Sequence, residues 1–156
     1  MTATKNQKFI REEVYRGAEA IDRLSAFHVT IAGVGALGSN LAETLSRQGI
    51  EQIRLIDNDR VEEQNLGTQI YGTGDIGALK VEATKQILFR NVEVEVEAFN
   101  KEFRAQTAKR LLKNTDLVVD AFDNHAARKL ITEYCLANQI SCLHLGMLEG
   151  LSLIHI

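Results

Sequence analysis

Proline is absent from this 156-residue chain, and cysteine occurs only twice, as Cys135 and Cys142. Without proline there is no proline-rich linker to mark a second domain. The two cysteines do not form a Cys-x-x-Cys pair. They read as buried reduced thiols rather than a disulfide framework or a zinc site. No apolar run approaches the roughly 20 residues that span a bilayer. The segment Met1 to Lys8 is polar and lacks the apolar core of a signal peptide, so a cytoplasmic location is expected. Charge of one sign is scarce as well. The net charge is -3, so neither nucleic acid nor a membrane is an expected partner. With 45% apolar and 25% charged residues, the chain has an ordinary soluble balance and the length for one domain with its own core.

What is present centres on Val29 to Asp59. A short β-branched run, Val29-Thr30-Ile31, enters Gly33-Val34-Gly35-Ala36-Leu37-Gly38. A helical period follows, with Leu37, Leu41 and Leu45 on one face. A second apolar run, Ile53 to Ile56, ends in Asp57-Asn58-Asp59. Strand, glycine turn, helix and acid-tipped strand make up a nucleotide-binding βαβ unit. Gly33 suits the tight bend, Gly35 lets backbone N–H groups approach phosphate oxygens, and Gly38 lets the helix lie near the strand. The helix N-terminus offers unpaired donors to an anion. Asp57 is placed to accept hydrogen bonds from ribose hydroxyls. The unit does not say which nucleotide binds.

Flanking patterns extend the fold. Lys5 to Phe27 has helical spacing, with Ile10, Val14, Ala18, Ile21 and Leu24 on one face and Gly17 as a possible break. Asp59 to Gly77 reads as a long irregular connection, and such connections are usually functional. Gly77 to Asn91 is predicted helical, with Val81, Thr84, Ile87 and Leu88 inward. Val92 to Ala98 alternates strictly and is predicted to be a strand with one wet face. Lys101 to Asn114 is predicted helical, burying Ala105, Ala108, Leu111 and Leu112. Leu117 to Phe122 reads as a buried strand. It is followed by a helix with Ala127, Leu130, Ile131, Tyr134 and Cys135 inward, then a strand from Ser141 to Leu145. The order predicts an α/β, Rossmann-like, doubly wound and mainly parallel sheet with helices on both faces. The last six residues, 151–156, can be encoded by the end of a common transposon sequencing adapter. They are read as a non-native tail, in preference to a sixth strand. On that reading the native sequence stops near Gly150, just after the fifth strand.

In such a sheet, ligands sit outside the C-terminal strand ends. The glycine turn, Asp57-Asn58-Asp59 and Asp123-Asn124 gather there. Asp59, Asn65, Lys80 and Asp123 exceed what a dehydrogenase needs. Carboxylates beside a lysine suit a triphosphate with Mg²⁺. Plainer explanations stand beside these: Asp57 serves NAD equally well, Asp59 can cap a turn, Lys80 can be an ordinary surface lysine, and Asp123 can be a helix N-cap.

From about Arg11 to Gly150 the sequence resembles the ThiF/MoeB and ubiquitin-activating-enzyme superfamily of adenylyltransferases. Arg11 and Arg16-Gly17 resemble its N-terminal helix. Asp57-Asn58-Asp59-Arg60-Val61, followed by Asn65-Leu66, resembles its Asp-x-Asp-x-Val segment. Gly77-Ala78-Leu79-Lys80 resembles its Gly-x-x-Lys, and Asp123 to Arg128 its Asp-Asn-x-x-x-Arg. The resemblance implies that 1–150 is an incomplete ATP-binding adenylation domain. Gly33, Gly35, Ala36, Leu37, Gly38, Asp57, Asn58 and Asn124 would lie about the nucleotide, with Asp57 on the ribose. Asp59, Asn65 and Lys80 would contact phosphates or the attacking carboxylate. Asp123 would coordinate Mg²⁺, Arg128 would brace the loop, and Arg11 would reach the ATP site of a partner in a homodimer. The implied reaction is attack of the C-terminal carboxylate of a ubiquitin-like or sulfur-carrier protein on the α-phosphate of ATP. Zinc would belong only to sequence beyond Gly150.

One position departs from the pattern. The family usually has Asn-x-x-Arg-Gln, and here Thr68 takes the place of the arginine. Losing such a charge costs on the order of 10³-fold or more in rate. Arg11 of a partner, Arg60 or Arg104 are candidate replacements. Two alternatives therefore stand beside the adenylyltransferase: an NAD(P)-dependent oxidoreductase and a non-catalytic subunit of the same family.

Overall fold

The computed structural model describes residues 7–148 and 151–155, with side chains as far as 146. The expected helix start at Lys5 and the boundary at Gly150 lie outside the described residues.

The apolar run at the centre forms β1 (His28–Ala32), and the second forms β2 (Gln52–Ile56). Between them runs α3 (Ala36–Arg47). Its most buried line is not the leucine stripe but Gly38, Ser39, Ala42 and Ser46, with Leu41 and Leu45 packing beside it. Small side chains along that line let the helix axis lie close to the sheet. The chain continues through α4 (Lys80–Val92), β3 (Glu97–Phe99), α5 (Ala105–Leu111), β4 (Leu117–Asp120), α6 (His125–Asn138), β5 (Ser141–Leu148) and β6 (Leu151–His155).

The sheet order is β3-β2-β1-β4-β5-β6. The first five strands pair in parallel. Residues 151–155, set aside in the sequence reading, pair antiparallel with β5. Helices cover both faces. Val81 and Leu88 of α4 join Ile31, Leu55 and Val119 in one core. Leu111 of α5 and Ile131 of α6 join Ala32, Ile56 and Val118 in the other. The chain reverses its direction of travel between β1 and β4, so their C-terminal ends open a crevice.

Two local expectations change, and the possible break at Gly17 is present. Val92 to Ala98 is not one strand. Val92 ends α4, Glu93 takes a left-handed cap (φ 55), and the ladder begins at Glu97. The alternation survives as burial, with Val94 and Val96 buried and the glutamates exposed. The helix over 101–114 is confined to Ala105–Leu111, and Ala105 is exposed rather than inward. The N-terminal helix is two, α1 (Ile10–Arg16) and α2 (Ala18–Ala26), separated at Gly17 (φ 86).

Candidate active site

A cavity of ≈ 640 Å³ opens at the crevice between β1 and β4, within the range of small-ligand sites. One wall is the glycine turn and the first turn of α3. The second is Asp57, Asp59, Asn65, Gln69 and Lys80. The third is 121–123 with His125, Arg128, Leu145 and Gly146.

The glycine turn is dictated by contact. Gly33 has φ +94, and a Cβ there would meet the Ala121 carbonyl carbon and oxygen at 2.8 Å. A Cβ on Gly38 would meet the Gly33 carbonyl oxygen at 1.9 Å. Only hydrogen fits at either place. Gly35 differs: nothing lies within 4 Å of its ideal Cβ position. It lines the cavity, so a side chain there would occupy ligand space. The N–H groups at the start of α3 point where an anion would sit.

Asp57 fixes that turn. Its Oδ2 accepts from Val34 N at 2.7 Å and its Oδ1 from Asp59 N at 2.8 Å. Burial raises its carboxyl above the usual range, and the two backbone donors pull it back. Each oxygen keeps a lone pair for a hydroxyl donor. Lys80 opens α4 and is only 8% exposed. Its Nζ lies 3.1 Å from Oδ2 of Asp59, whose side chain is largely exposed. A buried ammonium held by a movable carboxylate can exchange that partner for a phosphate. Asn65 gives Oδ1 to Glu62 N at 2.8 Å, which leaves its Nδ2 to offer.

On the third wall, Asp123 is exposed at the cavity edge. It makes no ion pair among the described residues. The N-cap of α6 is not Asp123 but Asn124, whose Oδ1 accepts from Ala127 N at 2.8 Å. Arg128 Nη1 donates to the carbonyls of Phe122 (3.2 Å) and Leu145 (2.8 Å). These contacts tie α6 to β5 and to the turn after β4. Among the described residues no group of three His, Cys, Asp or Glu side chains assembles to hold a metal. A metal at this wall would have Asp123 as its protein carboxylate and would take its other ligands from phosphate and water.

The profile of the ThiF family matches residues 8–154. The chain belongs to the ThiF family. It is 35% identical over 119 residues to the sulfur carrier protein adenylyltransferase of Thermus thermophilus, covering 75% of this chain and 44% of that protein. It is 39% identical over 110 residues to the adenylyltransferase and sulfurtransferase MOCS3 of Dictyostelium discoideum, covering 69% and 26%. The structure of E. coli tRNA N6-threonylcarbamoyladenosine dehydratase in complex with ATP superposes with a TM-score of 0.84 at 27% identity, covering 92% of this chain and 62% of that one. The chain thus spans less than half the length of these two curated relatives.

Within this ThiF-family chain, Gly33, Gly35, Ala36, Leu37, Asp57, Asp59, Asn65, Lys80, Asp123 and Arg128 share the cavity. Gly38 packs helix on strand behind it, Asn124 caps α6, and Asn58 is exposed beside it. Arg11 is exposed on α1 and does not line the cavity. Neither Arg60 nor Arg104 replaces the arginine absent at Thr68. Arg60 donates to Gly77 O at 2.6 Å, Arg104 pairs with Glu102, and neither lines the cavity. Thr68 itself is exposed, with its carbonyl held by Asn40 Nδ2 at 2.9 Å.

Three contributors were missed in the sequence. Tyr71 is buried and donates to Val34 O at 2.7 Å, with Thr84 Oγ1 at 3.1 Å. It pins the glycine turn to α4, and burial pushes its phenol well above the usual range. An apolar aromatic inside a glycine-rich connection was the available signal. Gln69 lines the cavity with a buried Oε1 that has no partner among the described residues. His125 stands at the N-terminus of α6 on the cavity wall.

Proposed function

We propose that this chain is the ATP-binding part of an adenylyltransferase that activates a C-terminal carboxylate of a ubiquitin-like or sulfur-carrier protein. The observation that carries the reading is one cavity shared by the glycine turn, the Asp59–Lys80 pair, Asn65 and Asp123. Family membership and the ATP complex of a solved relative favour ATP over a nicotinamide dinucleotide.

In this reading Asp57 accepts from the ribose hydroxyls, and the α3 N-terminus and Lys80 receive phosphate oxygens. Lys80 leaves Asp59 to do so. Asn65 Nδ2 and Lys80 align the incoming carboxylate with the α-phosphate. That nucleophile is already ionised, so no strong general base is needed. Catalysis is alignment of two anions plus neutralisation of charge. Asp123 would hold Mg²⁺, which would supply further charge neutralisation on the phosphates. The products are an acyl adenylate and pyrophosphate. The positive charge absent at Thr68 is supplied by Arg11 of a second copy in a cytoplasmic homodimer.

The test is ATP–pyrophosphate exchange by the full-length protein, with candidate carrier proteins and with tRNA as separate substrates. Carrier-dependent exchange lost in Asp123→Ala supports the reading. Exchange that survives Asp123→Ala removes the metal assignment. Exchange driven by tRNA alone moves the substrate to the chemistry named for the dehydratase relative. No exchange together with tight NAD binding overturns the reading.

A further inference from the structure

Behind the third wall lies a buried charged group that the proposed reaction does not use. Asp120, the last residue of β4, is fully buried. A carboxylate sealed from water needs partners on both oxygens. Oδ2 lies 2.7 Å from Nδ1 of His144, its register partner on β5, and 3.4 Å from Nε of Arg128. Oδ1 accepts from Phe122 N at 3.2 Å. The same Arg128 holds the Phe122 and Leu145 carbonyls through Nη1.

Hydrogen-bond accounting places a proton on one ring nitrogen. A carboxylate facing it only accepts, so His144 Nδ1 donates to Asp120 Oδ2. Nε2 lies 3.3 Å from Thr132 Oγ1, whose own proton goes to Arg128 O at 2.9 Å, and 3.6 Å from Cys142 Sγ. The network runs from imidazole to carboxylate to the backbone of the turn that leads into Asp123.

We propose that His144 is a positioning residue for the phosphate and metal corner of the cavity. This rests on the ATP reading above. By satisfying Asp120 Oδ2 it leaves Arg128 free to keep the Phe122 and Leu145 carbonyls, and so holds the 120–123 turn that presents Asp123. Without the imidazole donor, Arg128 closes onto Asp120 and releases those carbonyls. Asp57 and the glycine turn, held by β1, β2 and Tyr71, are not moved. The two ends of a nucleotide therefore respond differently.

The experiment is calorimetric titration of the full-length protein with ATP plus Mg²⁺ and, separately, with AMP without metal. It uses the natural chain, His144→Leu and His144→Asn, with thermal unfolding alongside. His144→Leu is expected to weaken MgATP about ten-fold, the scale of a charge-assisted hydrogen bond, while AMP binding changes less than about two-fold. His144→Asn, whose Nδ2 takes the place of Nδ1, is expected to recover most of the loss. Equal weakening of both ligands, or unchanged MgATP affinity in His144→Leu, overturns the proposal. Histidine ¹⁵N spectra of the natural protein supply a ligand-free readout. A Nδ1–H tautomer is expected, and a Nε2–H tautomer overturns the proposal whatever the protein binds. If the natural chain binds no nucleotide, the adenylylation reading falls and takes the positioning role with it. The spectra keep that failure distinct from a wrong hydrogen-bond assignment.

Discussion

The glycine turn and the N-terminal helix pair solve opposite packing problems with similar-looking sequence. Both are short helical segments beside a glycine. At α3 the line Gly38, Ser39, Ala42 and Ser46 is buried against the sheet, close enough that a Cβ at Gly38 has no room. At α1 the stripe is larger and more apolar, yet Val14 is 85% exposed, Tyr15 83% and Ile10 49%. Periodicity announces a face that wants burial. It does not say whether this chain or another covers it. The modest stripe is covered from within, and the prominent one is left outward.

Five substitutions would break or sharpen that contrast. The largest effect belongs to Gly38→Ala. The new methyl meets backbone rather than a movable side chain, so we expect a loss of about 3 kcal/mol or more in urea unfolding. Gly17→Ala, with open space but φ +86, should cost less, on the order of 1–3 kcal/mol from backbone strain alone; a larger loss at Gly17 than at Gly38 would mean that the tight approach of α3 is wrong. Next is Asp123→Ala, expected to lower exchange by about 10²-fold with unfolding unchanged, as for a group that acts only on developing charge. Tyr71→Phe removes one buried hydroxyl that braces the turn. Thermal unfolding should register a loss of about 1 kcal/mol, with ATP affinity falling in step. Smallest in the isolated chain is Val14→Asp, within about 0.5 kcal/mol. Sedimentation should nonetheless show loss of self-association if a second copy covers α1. An unfolded Val14→Asp would show instead that α1 packs on its own chain.

The sequence carried the fold well wherever one element's pattern was enough. The β1–α3–β2 unit, the parallel order and the buried face of α4 follow from local periodicity and glycine placement. Lys80 and Asp59 were named as neighbours of a nucleotide, and they meet at 3.1 Å. The misses occurred where two elements compete or where register decides. Val92, read as the start of a strand, belongs to the helix because Glu93 caps it in the left-handed region. Arg104, read as part of a helix, precedes it and donates its backbone N–H to Thr107 Oγ1. Asp120, His144 and Cys142 looked unrelated because their meeting depends on the β4–β5 register, which no single segment encodes. Of the two cysteines read as buried thiols, Cys135 is buried and Cys142 only partly so. Tyr71 escaped notice because its partners lie on two other elements.

The Gly33–Ala121 contact has a mechanical meaning. Two strands of the sheet's middle meet there backbone to backbone, with no side chain to act as a cushion, so the bottom of the cleft behaves as a fixed anvil. An anvil of that kind sets the ligand's depth from below.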